Sequence, residues 1–427
     1  MRTKQDRIFG ATLAATLGAA LVGAVATPGC SGKVEGAGGD GGTSDTGSPA
    51  QHDSGPAPTF DSGPSFDSGP GIHDSGPAPT GDNCVTPGVT CITPPPPPGG
   101  GVATPGPHQY AMRKLYLGDT DRTGVASATA WKAYGYNLDS LVTTNTSVDV
   151  CTLAAGASKE TQVDGNGGID NSFGENILPI VITTAGSDFS ATTDAAIEAG
   201  GPTDLVYVVG FDDASGNAMN ATGLTGVFFV GASYAAAHGG AAPSWDVTTH
   251  WPIAPQSMNG CTATGGCPSG TNPVADAVVQ FPHAYQSAGT FVTGDPADIP
   301  LTLGIGGDAL PLLIRGGILT FQPKTPGSVT NGVIAGALAT TDLVNALQAV
   351  AGSISTSLCS GSAFQSIAQQ IEQASDIVLE GDQVTNGAGI SCNAISIGVG
   401  FDATEVAPPV PGDIAGGSPA APDPCGD

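Results

Sequence analysis

Basic residues are the scarcest feature of this chain. Its 427 residues carry 11 Lys and Arg against 38 Asp and Glu, a formal net charge of −27. Residues 1–29 hold three of the basic groups and one acid, which leaves about −29 on the remainder. Such a field repels phosphate polymers and anionic lipid, and it excludes nucleic acid as a surface-bound partner. Aromatics make up only 5%, yet the apolar fraction of 40% is enough to bury a sizeable core. The C-x-x-C spacing of zinc sites is absent. Also absent are the nucleophile elbow G-x-S-x-G, H-E-x-x-H, a P-loop, and a G-x-G-x-x-G set between strand and helix. His238 and His250 lie in a Gly/Trp-rich stretch without an identifiable catalytic partner. Glu is scarce in the body, which weakens a paired-carboxylate glycosidase; Asp is plentiful and keeps that class open.

What is present begins with an export signal. Arg2, Lys4 and Arg7 precede an Ala- and Gly-rich apolar run, Ile8 to Ala26, followed by Thr27-Pro28-Gly29-Cys30. A basic start and a weakly hydrophobic run read as a cleaved signal over residues 1–29, with Cys30 carrying a lipid. Thr27 and Pro28 depart from the usual lipobox. Ala24-Val25-Ala26 offers an ordinary secretory cleavage site instead, and an uncleaved anchor is a third reading.

Setting Cys30 aside leaves eight cysteines, an even number in an exported chain, which points to disulfides. Close spacing pairs Cys84 with Cys91 and Cys261 with Cys267. Cys359–Cys392 would tie a helical segment to a late strand, leaving Cys151–Cys425.

Residues 30–107 read as a disordered tether of Asp, Ser, Gly and Pro, with too few large apolar groups to offset chain entropy. Asp-Ser-Gly-Pro recurs at Asp53–Pro56, Asp61–Pro64, Asp67–Pro70 and Asp74–Pro77, and Pro94 to Pro98 adds a short polyproline rod.

The globular part is expected over residues 108–407, followed by a Pro/Gly-rich tail over 408–427. Short apolar or alternating runs between turn clusters predict strands at Arg113–Leu117, Ile177–Thr183, Asp204–Val209, Gly226–Val230, Ala277–Phe281, Gly289–Val292, Leu301–Ile305, Leu310–Ile314, Ile318–Phe321, Val329–Gly336 and Ala394–Phe401. Two alternate cleanly. Leu301, Leu303 and Ile305 share one face, and Ile395, Ile397, Val399 and Phe401 lie opposite Ser396, Gly398 and Gly400. Helices are expected at 341–350, 362–374 and 190–199. Strands dominate, so the fold class is mainly β: an antiparallel β-sandwich or jelly-roll-like body with a small late helical insertion.

Two constellations carry candidate chemistry. Asp164, Asn166, Gly168, Asp170 and Glu175 are spaced like a calcium loop, so the cofactor expected is a structural Ca2+. Position five is Gly168 and position six is Ile169, where Gly is needed for the sharp turn. The competing reading is a Gly/Asn/Asp turn in which Asp170 or Asn171 caps backbone N–H groups. Asp119–Gly124 and Asp212–Asn217 are shorter acidic loops, best explained as turns. Tyr234, Trp245 and Trp251 cluster in a loop-rich stretch beside Asp246 and His250. They are the candidate stacking platform for a sugar, or else they plug the core.

Cys30 with its long spacer resembles the uncharacterised cell-envelope lipoproteins of myxobacterial and deltaproteobacterial type. The body phrases Gly-Ile-Asp-Asn-Ser-Phe-Gly (168–174), Asn331-Gly-Val-Ile-Ala-Gly336 and Cys392-Asn-Ala-Ile-Ser-Ile-Gly398 are similar too. The resemblance implies a location at the outer membrane or cell surface and brings no activity. The function expected is a non-enzymatic binding or structural role, anchored in the outer membrane and engaging a glycan or a surface protein. The alternative is an anchored or secreted polysaccharide hydrolase.

Overall fold

A computed structural model describes residues 84–415, apart from 87, 104–105, 186–188, 213–218, 263–265, 306–307, 326, 360 and 382. The signal, Cys30, the Asp-Ser-Gly-Pro repeats and Cys425 lie outside the described residues.

The central element is a closed antiparallel barrel. Eight strands form the ring in the order β1 (Pro107–Tyr116), β2 (Asp204–Val209), β3 (Ala221–Val230), β4 (Val279–Ser287), β5 (Thr290–Val292), β7 (Asp308–Thr325), β8 (Ser328–Ala339) and β11 (Ala394–Val406), which returns to β1. Closure rests on a short contact in which Phe291 pairs with Phe321 and Val292 with Thr320. A further strand, β6 (Ala297–Ile305), pairs with the first half of β7. The ribbon β9 (Val378–Glu380) and β10 (Gln383–Thr385) stands apart from the ring.

The expected sandwich or jelly roll is therefore corrected to a barrel. Alternation reports only that one face of each strand is buried, and a closed sheet buries its inner face as a sandwich does. The deciding β5–β7 contact joins residues about thirty positions apart through a three-residue strand. Leu310–Ile314 and Ile318–Phe321, expected as two strands, are one. Gly316 bridges them at φ 56, a left-handed conformation that glycine adopts without strain. The register shifts between Arg315 and Ile318, so one half of β7 serves β6 and the other half serves β5.

Aromatic rings fill the inside. Tyr110, Phe211, Phe291 and Phe401 converge on Phe321, with ring centroids 5.6, 5.2, 4.7 and 6.3 Å from it. All five are at most 1% exposed. Ile395, Ile397, Val399 and Phe401 share this inner face, as their alternation predicts. Leu301 and Leu303 are buried while Thr302 and Gly304 are not.

The outer face of β11 is the bare Ser396-Gly398-Gly400 side. A long excursion between β1 and β2 lies on it, so close that a Cβ at Gly398 would collide with the Tyr134 carbonyl. Asn171 fastens it: its Nδ2 donates to the carbonyls of Trp131, Tyr134 and Gly398, and its Oδ1 accepts from Gly174 N and Gly398 N.

The excursion corrects a second expectation. Ile177–Thr183 is not a strand. A π-turn, Phe173–Ile177, leads into helix α1 (Leu178–Ala185). Ile177, Leu178 and Val181 are buried and Thr183 is exposed, a helical spacing that a short apolar run conceals. The remaining helices are α2 (Phe189–Glu198), α3 (Tyr234–Ala237), α4 (Thr340–Ala349), α5 (Ala351–Ile354) and α6 (Gly361–Gln373). Three of them, α2, α4 and α6, fall where the sequence places helices.

Packing also reaches into the expected tether and tail. Ile92 N donates to Gly167 O, Asn137 N donates to Ile92 O, and Tyr285 Oη donates to Pro95 O. At the other end Ile253 N donates to Asp413 O, and Ile414 bridges to Ile253.

Candidate functional site

With the barrel interior filled, a cleft bearing charged groups lies on its outer wall. Two neighbouring bulges create it. Between Met112 and Lys114 the β1–β11 register shifts, so Arg113 and Lys114 both turn outward where regular alternation would bury one of them. Strand β11 shifts between Phe401 and Ala403 and presents Asp402. Helix α2 contributes Asp194 and Glu198, four residues apart and therefore on one face. The end of the β7–β8 hairpin adds Lys324. Together they wall a cleft of ≈ 550 Å³.

Its charges are arranged unevenly. Arg113 forms a fork with Glu198, Nε to Oε2 at 2.7 Å and Nη2 to Oε1 at 2.6 Å. The guanidinium also lies 5.0 Å from the centre of the Trp245 ring. Hydrogen bonding to Glu198 raises the Arg113 pKa, and the same bond lowers that of Glu198. Asp194 Oδ1 accepts from Leu115 N at 2.9 Å. Burial raises the Asp194 pKa, with the charges of Asp119 and Asp402 adding to the effect and Lys114 opposing it. Asp402 accepts from Tyr116 Oη at 2.9 Å and from Thr330 Oγ1 at 2.7 Å, and Arg122 Nη1 stands 3.6 Å away. Among the described residues, neither Lys114 nor Lys324 has a carboxylate within ion-pair distance.

These residues were not singled out from sequence. The strand at Arg113–Leu117 and the helix at 190–199 were legible, but the bulges that turn their charges into one cleft were not. The available signals were the rarity of cations, with Arg113 and Lys114 adjacent, and the Asp194–Glu198 spacing.

The expected stacking platform is corrected to a core element. Trp251 is fully buried and Trp245 is 9% exposed. Their rings lie 5.0 Å apart, Tyr234 is 5.4 Å from Trp251 and stacks on His238 at 3.9 Å, and Trp251 Nε1 donates to Ala232 O. In a chain with three Trp, the large apolar surfaces go to the core before they go to a ligand.

The expected calcium loop is dispersed. Asn166 is exposed, and Gly168 is buried against Asn137 and Leu141. Glu175 sits in the π-turn under the charges of Lys132 and Glu160, and burial lifts its pKa to about 7. Asp164 and Asp170 come close enough for their carboxyls to interact. Each also accepts a backbone amide at 2.6 Å, from Thr143 and Leu138 respectively. Capping of backbone N–H groups, the competing reading, describes both Asp170 and Asn171. Among the described residues no three His, Cys, Asp or Glu side chains are grouped to hold an ion.

What sequence reading missed is that two further acids, the half-buried Asp139 and the buried Asp376, stand around this pair. Burial pushes Asp164 to about 8 and Asp376 to about 7, and raises Asp139 and Asp170. Asp139 accepts from Asn386 Nδ2 and Leu141 N, while Asp376 accepts from Ser396 N and Oγ.

Both short disulfides are present, Cys84–Cys91 and Cys261–Cys267. The long-range pairing is corrected: Cys151 joins Cys392, so Cys359–Cys392 and Cys151–Cys425 do not form. Thr152 and Ser391 run side by side in a parallel bridge, which brings the adjacent sulfurs together. Cys359 is also disulfide-bonded.

No protein-family model, curated protein or solved structure matches this chain.

Proposed function

We propose that the chain is a non-catalytic binding protein of the cell envelope that takes a saccharide in the cleft between the β1 bulge and α2. The observation that carries this reading is the contrast between the barrel's two sides. Aromatic packing closes the interior, so the barrel is no calyx. The outer cleft is of ligand size and mixes cations, carboxylates and hydroxyls. Carboxylates paired with an Arg fork suit hydroxyl-rich ligands, because they accept sugar O–H groups while staying rigid. The basic start, the apolar run and Cys30 support an anchored display, and the disulfides among the described residues fit an oxidising compartment. A glycan array probed with the full chain tests the reading. Retention of glycans that is lost in Asp402→Asn supports it, and an array with no retained glycan overturns it.

One observation favours a polysaccharide hydrolase as the second reading. Asp194 and Asp402 face the same cleft in unequal settings, Asp194 raised by burial and Asp402 beside Arg122. Such an asymmetric pair suits a proton donor and a carboxylate partner. Product release from a polysaccharide, abolished in Asp194→Asn, would decide for turnover; binding without product decides against it.

A further inference from the structure

Resting on the reading of the cleft as a saccharide site, we infer that its ligand is an acidic oligosaccharide, whose carboxylates are held by Lys114 and Lys324 while Asp194 and Asp402 take its hydroxyls. The first ground is distribution. Seven Lys and Arg lie among the described residues, in a chain whose net charge is −27, and three of them line this one cleft. A random solvated surface would scatter them.

The second ground is that these cations are not all used up internally. Arg113 is committed to Glu198 and Trp245. Arg122 and Arg315 likewise lie against carboxylates, of Asp402 and Asp298. Lys114 and Lys324 are exposed, and no carboxylate stands within ion-pair distance of either among the described residues. An ammonium in that position can hold a ligand carboxylate as a compact point charge.

The third ground is spacing. Lys114 pairs with Asp402, Ala403 with Val329, and Val329 with Pro323, the residue before Lys324. The two lysines thus stand three strands apart, about 14 Å at the usual separation of neighbouring strands. Asp402 lies between them on the floor, and Asp194 on the α2 wall. That geometry suits a chain of sugar rings bearing separate acid groups better than one small anion.

The test is calorimetric titration of the full chain with three uronic-acid oligosaccharides (galacturonate, alginate and hyaluronan fragments) and with their carboxyl-reduced counterparts. At least one acidic oligomer should bind about tenfold or more tighter than its reduced form, and the preference should weaken as salt rises. Lys324→Ala and Lys114→Ala should each reduce the preference. Equal binding of acidic and reduced forms, or a preference that survives the double lysine variant, overturns the inference and leaves the saccharide site standing. Binding of neither form, with an empty glycan array, overturns both.

Discussion

Within the excursion that covers β11, Asp164 and Asp170 each accept a backbone amide at 2.6 Å, from Thr143 and Leu138, and their carboxyls lie close enough to interact. Burial raises both pKa values, and the charge of Asp164 adds to the rise at Asp170. With Asp139 and Asp376 they gather four buried or half-buried acids in an already acidic molecule.

Stability should therefore fall as pH rises. The folded pKa of Asp164, about 8, and that of Asp376, about 7, lie above the ordinary 3.8. A raised folded pKa means that the native state holds the proton more tightly than the unfolded chain does. The contribution is complete below about pH 3.8 and is lost as pH climbs through 7 and 8. Thermal melts from pH 4 to pH 9 should show a declining Tm, and Asp164→Asn should flatten the decline. A Tm that rises over this range would refute the assignment.

The same pair predicts the response to calcium. Because backbone amides already engage both carboxyls and burial favours their protonated forms, millimolar calcium should leave the Tm unchanged at pH 6. A rise that Asp164→Asn abolishes would mean that the loop binds the ion after all.

Phe321 is the hub of the barrel interior, with four rings around it and no exposed surface. Phe321→Ala should cost about 3–5 kcal/mol, read as a lower urea midpoint with an unchanged slope. A loss below about 1 kcal/mol would mean that the rings do not pack as described.

Arg113 covers Trp245, whose ring is otherwise nearly buried. Arg113→Ala should shift the tryptophan emission to the red while costing no more than about 1 kcal/mol, because the Arg113–Glu198 pair is half exposed. An unchanged spectrum would place the guanidinium elsewhere.

The Cys151–Cys392 bond spans 241 residues of sequence. Non-reducing mass mapping should recover this linkage, with Cys84–Cys91 and Cys261–Cys267 as separate small loops. The Cys151→Ser/Cys392→Ser double variant should lose about 5 kcal/mol in the chain-entropy account. A recovered Cys359–Cys392 peptide would contradict the register of the Thr152–Ser391 bridge.

Local chemistry wrote much of this protein into its sequence. Period-two alternation marks the inner face of β11, turn clusters bound most of the other strands, and a spacing of six or seven residues closes the two small disulfides, because each of these signals lies within one segment. Closure of the barrel through Phe291 and Phe321, the pairing of Cys151 with Cys392, and the gathering of Arg113, Lys114, Asp194, Lys324 and Asp402 into one cleft depend on register and bulges between strands distant in the chain. A bulge moves a side chain from one face of a sheet to the other without altering composition. Only the tertiary structure could therefore decide that two adjacent cations on β1 both face the cleft, and that the tryptophans expected to meet a ligand belong to the core.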